Sequence, residues 1–212
     1  MMPVSRLGLE IFEGLEKIDG AIAAAVAAGG CRHCGGPLHR GNYLRKPRGG
    51  LMASVGEGST LRHSLCCGWR GCRKRSLPPS LRFLGRRVYL EAVVILGSVV
   101  ALAKACVQVA ADSTGVPART LRRWGSWWRD VFPATATWAD LRARFVPPAP
   151  DETDLPRSLL QRLQSICDGA GARDPTGDAV VLAARHLAPE TTQSVADGSR
   201  FVRAAFALAA PG

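Results

Sequence analysis

Residues 61–75 read LRHSLCCGWRGCRKR, and this stretch decides how the middle of the chain folds. Its counterpart lies upstream, where residues 31–36 read CRHCGG. Two cysteines separated by two residues let two thiolates meet at one ion while backbone N–H groups point at the sulfurs, and the glycine that follows accommodates the tight turn. Residues 38–44 and 61–67 have the composition of strands. Together these stretches predict a β-hairpin with a zinc site at one end, which is the zinc-ribbon arrangement.

Four of the seven cysteines are predicted to bind this zinc. The predicted ligands are Cys31, Cys34, Cys67 and Cys72. Cys66 competes for the place of Cys67, but strand alternation puts Cys67 on the face of Leu61 and Leu65, and that face packs toward the metal. Four thiolates leave no position open for water or substrate, so the zinc is expected to be structural.

Other interpretations of these residues remain open. A histidine can replace a sulfur, and three histidines lie in this region: His33, His39 and His63. The thiols can also be ordinary buried or redox-active groups, although a redox dithiol favours a βαβ context that the sequence lacks. Cys106 and Cys167 lie in apolar or helical surroundings and are predicted to be small buried residues.

The positive charge of the chain is concentrated in the same region. The 212 residues carry a net charge of +11, and residues 31–90 alone contain thirteen basic side chains and one acidic one. Most of the basic residues are arginines, whose planar guanidinium suits phosphate and guanine. Nucleic acid is therefore the favoured partner, with a membrane surface or a solubilising face as alternatives. The arginines expected on phosphates are Arg40, Arg45, Arg48, Arg73 and Arg75.

The sequence predicts a mainly α fold with a small β zinc ribbon and a homeodomain-like helix-turn-helix domain. The expected divisions are an amphipathic helix over 1–30, the ribbon over 31–80, the helix-turn-helix domain over 81–146 and a helical segment over 151–212. In the first helix the expected apolar stripe consists of Leu7, Ile11, Leu15, Ile18 and Ile22, with the acidic residues outward. Residues 137–145 are predicted to form a short helix capped by Thr137, and residues 155–167, 178–187 and 200–210 to form further helices.

Residues 107–128 have the spacing of two helices joined by a tight turn. Gly115 supplies the turn, and the small Ala111 lets the helices approach each other. Val116, Leu121 and Trp124 are expected to close a small core, and Trp127 and Trp128 are also expected to be core residues, the alternative for the three tryptophans being base stacking. The residues then left outward on the second helix are Arg119, Arg122, Arg123 and Ser126. They are predicted to contact base edges of double-stranded DNA, the alternative being a solvated arginine face.

The chain is expected to stay in the cytoplasm and to be associated with the nucleoid when it binds DNA. Acidic residues occupy the place where a secretory signal needs basic and apolar ones. The most apolar stretch, residues 92–103, is interrupted by Gly97 and Ser98 and is too short to span a membrane.

The chain resembles the front ends of insertion-sequence transposases. The resemblance lies in Cys31-x-x-Cys34-Gly35, in Leu65-Cys66-Cys67 followed by Cys72-Arg73-Lys74-Arg75, and in Gly115-Val116-Pro117 followed by Thr120-Leu121-x-Arg123-Trp124. In that family a zinc ribbon followed by a helix-turn-helix recognises the ends of the mobile element. The resemblance implies a bacterial mobile-element context and a role in transposition.

The sequence departs from that family after residue 132. Such transposases continue into a ribonuclease-H-like domain whose three carboxylates bind two metal ions, whereas about eighty residues follow here and are predicted to be helical. Their acidic residues are interpreted as caps, turns and solvated positions. We therefore expect no catalysis and no small-molecule substrate, but an accessory or regulatory factor whose protein partner is a transposase or a second copy of the chain. The alternatives are an RNA-binding or protein-interaction adaptor, and a truncated transposase working within a larger complex.

Overall fold

The structure is a computed structural model, and it describes residues 9–45, 60–83, 91–103, 106–146 and 148–191. The chain divides into two compact units. The cysteine unit contains the described residues 9–45, 60–83 and 187–191, and the helical unit contains the described residues from 91 to 186. As the sequence predicts, the described chain is mainly helical with a few short strands.

The cysteine unit contains one long helix and five short strands among its described residues. They are α1 (Leu9–Ala28), β1 (Leu38–Arg40), β2 (Tyr43–Leu44), β3 (Leu61–Arg62), β4 (Leu65–Cys67) and β5 (Arg75–Ser76). β4 lies between β1 and β5, and β2 pairs with β3; each pairing is antiparallel. The register places Leu38 opposite Cys67 and Tyr43 opposite Arg62.

The two predicted strands are each broken in the middle. Gly41 donates its N–H to the carbonyl of Ser64 at 2.7 Å, and the side chain of Asn42 accepts from the N–H of Ser64 at 3.1 Å. The amide side chain of Asn42 therefore replaces a strand-to-strand bond at the break, and the hairpin continues beyond it as β2 and β3.

The buried face of α1 differs from the predicted one. Its buried side chains include Phe12, Leu15, Asp19, Ile22 and Val26. Ile11 and Ile18, which the sequence predicts on the buried face, are half-buried, and the predicted Leu7 lies outside the described residues. The expectation that every acidic side chain of this helix points outward is wrong for Asp19, which is 1% exposed.

Asp19 joins α1 to residues 80–82. Its Oδ1 accepts from the N–H of Leu81 at 2.7 Å, and its Oδ2 accepts from Ser80 Oγ at 2.6 Å and from Arg82 Nε at 3.0 Å. Arg82 also donates from Nη2 to the carbonyl of Leu61 at 2.7 Å. The buried charges of Asp19 and Arg82 are thus paired and hydrogen-bonded, as burial of ions requires, and they connect α1, β3 and the segment that follows β5.

The helical unit begins with three helices that pack on one another: α2 (Glu91–Ala103), α3 (Val107–Thr114) and α4 (Ala118–Ser126). A Cβ atom on Gly97 of α2 would lie 3.3 Å from Cζ3 of Trp124 and 3.5 Å from Cδ2 of Leu121. The missing side chain lets α4 approach α2 closely. Gly115 joins α3 to α4 with φ 65°, in the left-handed region that favours glycine.

The residues after α4 form a cluster of aromatic rings. A π-helical turn over Trp127–Val131 and a 3-10 turn over Phe132–Ala134 lead into α5 (Ala136–Arg142). The rings of Trp128 and Phe132 meet edge to face with centroids 4.9 Å apart, and Phe132 lies 5.5 Å from the ring of Trp138. Trp124 and Trp128 are buried, as predicted, and Trp127 is half-buried.

Some predicted boundaries in the helical unit shift. α5 begins at Ala136, since Thr135 is its cap and accepts from the N–H of Trp138 at 3.1 Å; the predicted cap, Thr137, is buried inside the helix. Two further helices correspond to predicted ones, namely α6 (Arg157–Gly169) and α7 (Pro175–Leu187). The helix predicted over 200–210 lies outside the described residues.

Acidic residues in this part form local contacts. Asp151 accepts from the N–H of Thr153 at 2.9 Å, and Asp174 accepts from the N–H of Gly177 at 3.0 Å. Asp154 pairs with Arg157 at 2.7 Å. Asp151 and Asp174 hold the capping and turn positions that the sequence predicts. Glu152 does not, because it accepts from Trp138 Nε1 at 2.9 Å and pairs with Arg142 of α5.

Candidate metal centre and basic surfaces

Four cysteine thiols of the cysteine unit converge on one point. They belong to Cys31, Cys34, Cys67 and Cys72, and their sulfurs all lie within 4.8 Å of one another. The Sγ atoms of Cys34 and Cys67 are 3.4 Å apart, and those of Cys31 and Cys72 are 3.8 Å apart. All four are free thiols. These are the four cysteines that the sequence selects as ligands.

This spacing fits a metal ion with four sulfur ligands. A tetrahedral zinc site with bonds of about 2.3 Å places its sulfurs about 3.8 Å from one another. The separations of 3.4 and 3.8 Å and the upper bound of 4.8 Å bracket that value, whereas a disulfide would need about 2 Å. The group can therefore hold a metal ion with small side-chain movements, and among the described residues it is the one group of this kind.

The first cysteine turn is closed by backbone hydrogen bonds. The carbonyl of Cys31 accepts from the N–H groups of Cys34 at 3.2 Å and Gly35 at 2.7 Å, and the N–H of Cys31 donates to the carbonyl of Gly36 at 2.8 Å. Gly35 has φ 70°. The sequence folds in this way because the two glycines provide the tight return of the chain.

The second cysteine turn repeats the first with different residues. The carbonyl of Trp69 accepts from the N–H groups of Cys72 at 3.0 Å and Arg73 at 3.1 Å. Arg73 has φ 50°, so it takes the left-handed conformation that Gly35 has in the first turn. Trp69 therefore has the position in the second turn that Cys31 has in the first. Because tryptophan cannot bind the metal, the fourth thiol of the group comes from Cys67 at the end of β4.

Backbone groups polarise the sulfurs in the first turn. A hydrogen bond from the backbone of His33, helped by one from Cys34 and opposed by burial, lowers the pKa of Cys31 to about 7. A bond from the backbone of Gly36 lowers the pKa of Cys34, but burial and the neighbouring thiols outweigh it and raise that pKa to about 12. The raised pKa keeps the Cys34 thiol protonated at neutral pH, and a cation held near its sulfur would favour the thiolate.

The competing candidates lie outside the cluster. Cys66 points to the other side of β4, where a Cβ on Gly41 would lie 3.1 Å from its sulfur. His33 and His39 are exposed, and His63 is half-buried beside Gly20 of α1. None of these belongs to the four-thiol group found among the described residues.

The two remaining cysteines differ from each other. Cys167 is buried in α6, as predicted, and burial raises the pKa of its thiol. Cys106 is exposed just before α3, so its prediction as a buried residue is wrong.

Not all of the basic side chains in the cysteine unit are available to a partner. Arg62 and Arg82 are buried, each 1% exposed. Arg45, a predicted phosphate contact, is half-buried with its guanidinium 5.7 Å from the ring of Tyr43 and 5.9 Å from that of Phe83. Arg48 lies outside the described residues. The exposed cations in the described part of this unit between residues 31 and 83 are Arg32, Arg40, Arg70, Arg73, Lys74 and Arg75.

α4 presents a basic face. Arg119, Arg122 and Arg123 are exposed, as is Ser126, whose hydroxyl accepts a long bond of 3.4 Å from Arg129. Leu121 and Trp124 on the opposite face are each 1% exposed. The helix therefore has the two-sided character that the sequence predicts, with the four named polar residues on one side.

Trp69 is a surface feature that the sequence reasoning missed. It is 58% exposed, although tryptophan is largely buried in most proteins. The available signal was its position: an aromatic residue inside a cysteine turn, between Gly68 and Arg70, has no apolar neighbours in sequence with which to pack.

No protein-family model, curated protein or solved structure matches this chain. None of the helices in the described part is both long and apolar enough to cross a membrane.

Proposed function

We propose that the chain is a zinc-stabilised DNA-binding protein without its own catalysis, acting as an accessory or regulatory factor of a bacterial mobile element. The observation that carries the proposal is the pairing of a four-thiol group with exposed arginines in both units. The resemblance to the front ends of insertion-sequence transposases supplies the mobile-element context, and a transposase or a second copy of the chain is the proposed protein partner.

Zinc is the metal we assign to the four thiols. Soft thiolates in a tetrahedral set favour zinc or iron–sulfur chemistry, and short turns with backbone N–H groups near the sulfurs suit a single ion. With four protein ligands the ion has no open position, so its role is to hold together a unit whose strands are two or three residues long. We therefore interpret the short strands and the two cysteine turns together as a zinc ribbon.

α3, the Gly115 turn and α4 are proposed to act as a helix-turn-helix. Three arginines at spacings of three and one on the exposed face of α4 fit a helix that enters the major groove. Arg119, Arg122 and Arg123 would contact base edges there, and exposed arginines of the cysteine unit would contact phosphates. Arg40, Arg73 and Arg75 remain in that second set because they are exposed, although Arg75 also lies 5.8 Å from the ring of Tyr43. Arg45 is half-buried and is better explained by its packing on Tyr43 and Phe83.

The metal assignment is tested on the purified chain. We expect one zinc per chain by elemental analysis, and loss of zinc with a lower melting temperature in the variant Cys34→Ser. Cys66→Ser is the matched control, because Cys66 is next to a ligand but outside the group; it should keep its zinc. Purified wild type without bound metal would contradict the assignment, as would iron in place of zinc.

DNA binding is tested by selecting bound duplexes from a random pool in the presence of RNA competitor. A recovered sequence motif is the expected result. Arg123→Ala should flatten that motif, whereas Arg173→Ala, which removes an exposed arginine between α6 and α7, should leave it unchanged. The salt dependence should show a log–log slope of roughly −0.9 per phosphate contact.

The alternative is an adaptor that binds RNA or a protein. It is favoured if RNA removes the chain from every duplex in the pool, or if no motif emerges while a protein partner is retained. A truncated transposase in a larger complex would instead show strand transfer when a complete transposase is added.

A further inference from the structure

The second cysteine turn carries a tryptophan ring on its outside. Trp69 is 58% exposed, while its Cβ is in contact with the first turn: a Cβ on Gly36 would lie 3.3 Å from it. The stem of the side chain is therefore packed beside the thiol group, and the indole extends from it into solvent. An apolar ring so placed adds little to the core of the unit.

The backbone that carries this ring is fixed on both sides. Gly68 donates its N–H to the carbonyl of Pro37 at 2.8 Å, and Cys67 donates to the carbonyl of Lys74 at 3.0 Å. The carbonyl of Trp69 itself accepts two N–H bonds, from Cys72 and Arg73. A ring on a fixed backbone loses little conformational freedom when it binds, which favours its use as a contact surface.

The surroundings of the ring are cationic. Arg70, Arg73 and Lys74 follow it in the same turn and are all exposed. Arg32 of the first turn is exposed as well. The described residues 31–45 and 60–83 contain no aspartate or glutamate. The partner that suits this surface is an anion with a flat apolar face.

We infer that Trp69 is a stacking platform for an unpaired DNA base, so that the cysteine unit binds single-stranded DNA. A base inside a duplex offers its face to a side chain only if the stack is opened, which costs a few kcal/mol, whereas in a single strand the ring faces are free and the backbone phosphates meet the cations. This inference deepens the proposed function and rests on it only in assuming a nucleic-acid partner. It assigns single-stranded DNA to the cysteine unit, whereas the proposed function assigns double-stranded DNA to α4.

The test measures binding of the full zinc-loaded chain to a labelled 12-nucleotide DNA single strand and to the matched duplex. Trp69→Ala should weaken single-strand binding roughly tenfold, which is the usual effect of losing one stacked base, and should change duplex binding less than twofold. Trp69→Phe, which keeps a ring, should retain most of the affinity. Leu44→Ala is the matched control, because Leu44 is another exposed apolar side chain of this unit, at 72% exposure.

Tryptophan emission supplies a second readout. Stacking on a base quenches the indole, so the single strand should quench wild-type emission more than it quenches that of Trp69→Phe. Zinc content and melting temperature show whether Trp69→Ala is folded; if it is not, the quenching comparison decides alone.

Several outcomes would overturn the inference. Equal losses on single strand and duplex would do so, as would no loss at all, an equal effect of Leu44→Ala, or competition by polyglutamate as strong as by single-stranded DNA. A tenfold preference for single-stranded RNA would overturn the assignment to DNA. In each of these cases wild-type duplex binding would leave the proposed function standing, whereas wild type that binds neither DNA form would contradict the proposed function itself.

Discussion

Gly36 lies against the thiol group, and no larger residue fits there without movement. Its Cβ would be 3.3 Å from Cys34 Sγ, 3.3 Å from the Cβ of Trp69 and 3.4 Å from Cys67 Sγ. Because these atoms are held by two cysteine turns, we expect Gly36→Ala to weaken the affinity for the proposed zinc ion on the order of tenfold, the lower range for residues that orient metal ligands. Competition with a zinc chelator of known affinity measures the change.

Gly71 provides the control for that substitution. It lies in the second turn, and a Cβ there meets nothing within 4 Å. Gly71→Ala should leave zinc affinity within a factor of two or so, since no ligand has to move. An equal effect of both substitutions would mean that backbone freedom of the turns, and not crowding of the sulfurs, determines the affinity.

Asp19 is a second position where one residue has a large effect. Replacing it with asparagine leaves Arg82 buried without its charge partner, and breaking a buried pair in this way costs about 3–5 kcal/mol. Urea unfolding of Asp19→Asn measures the loss. Glu13→Gln removes an exposed charge from the same helix and should change stability by no more than about 0.5 kcal/mol.

At the scale of elements, the contact of α2 with α4 depends on Gly97. Gly97→Val would push into Trp124 and Leu121 and should destabilise the chain by about 1–3 kcal/mol, as overpacking of a core does. Gly14→Ala is the opposite case, because a Cβ at Gly14 in α1 meets nothing within 4 Å and alanine raises helix stability by about 0.5–1 kcal/mol. Thermal unfolding should show a lower melting temperature for Gly97→Val and a higher one for Gly14→Ala.

The sequence predicts those elements whose pattern is local. Alternation along β4 distinguishes Cys67 from Cys66 because side chains on a strand change face at every residue, and the spacing of Leu121 and Trp124 separates the two faces of α4. The burial of Asp19 could not be predicted in the same way, since its partner Arg82 is 63 residues away. The π-helical turn after Ser126 could not be predicted from the sequence either. It differs from an α-helix only in which backbone groups are hydrogen-bonded, and the spacing of apolar residues does not report that difference.

At the scale of the whole molecule, His186 near the end of α7 makes stability depend on pH. Burial, with help from Arg185 and Arg144, lowers its pKa from 6.5 to about 4. The unfolded chain therefore takes up a proton between these values and the folded chain does not, so stability falls as pH drops below 6.5. The loss is about 2 kcal/mol at pH 5 relative to pH 8.

The variant His186→Gln tests this dependence. Its free energy of unfolding should fall less than that of wild type between pH 8 and pH 5, and the difference between the two curves removes the contributions of other groups. His39→Gln, which removes an exposed histidine, should follow the wild-type curve. Parallel curves for wild type and His186→Gln would contradict the assignment.

The contacts of the cysteine unit are nested in the sequence. The bond from Arg45 to Thr60 lies innermost, the pairing of Leu38 with Cys67 encloses it, and Cys31 with Cys72 encloses both. Closing a loop of 41 residues costs roughly 1 kcal/mol more than closing one of 15. The unit can therefore assemble from the inside outward, with the hairpin first and the ion afterwards. If the proposed zinc ion is bound, its supply in the cell would then act on a late step of folding and not on the first contacts.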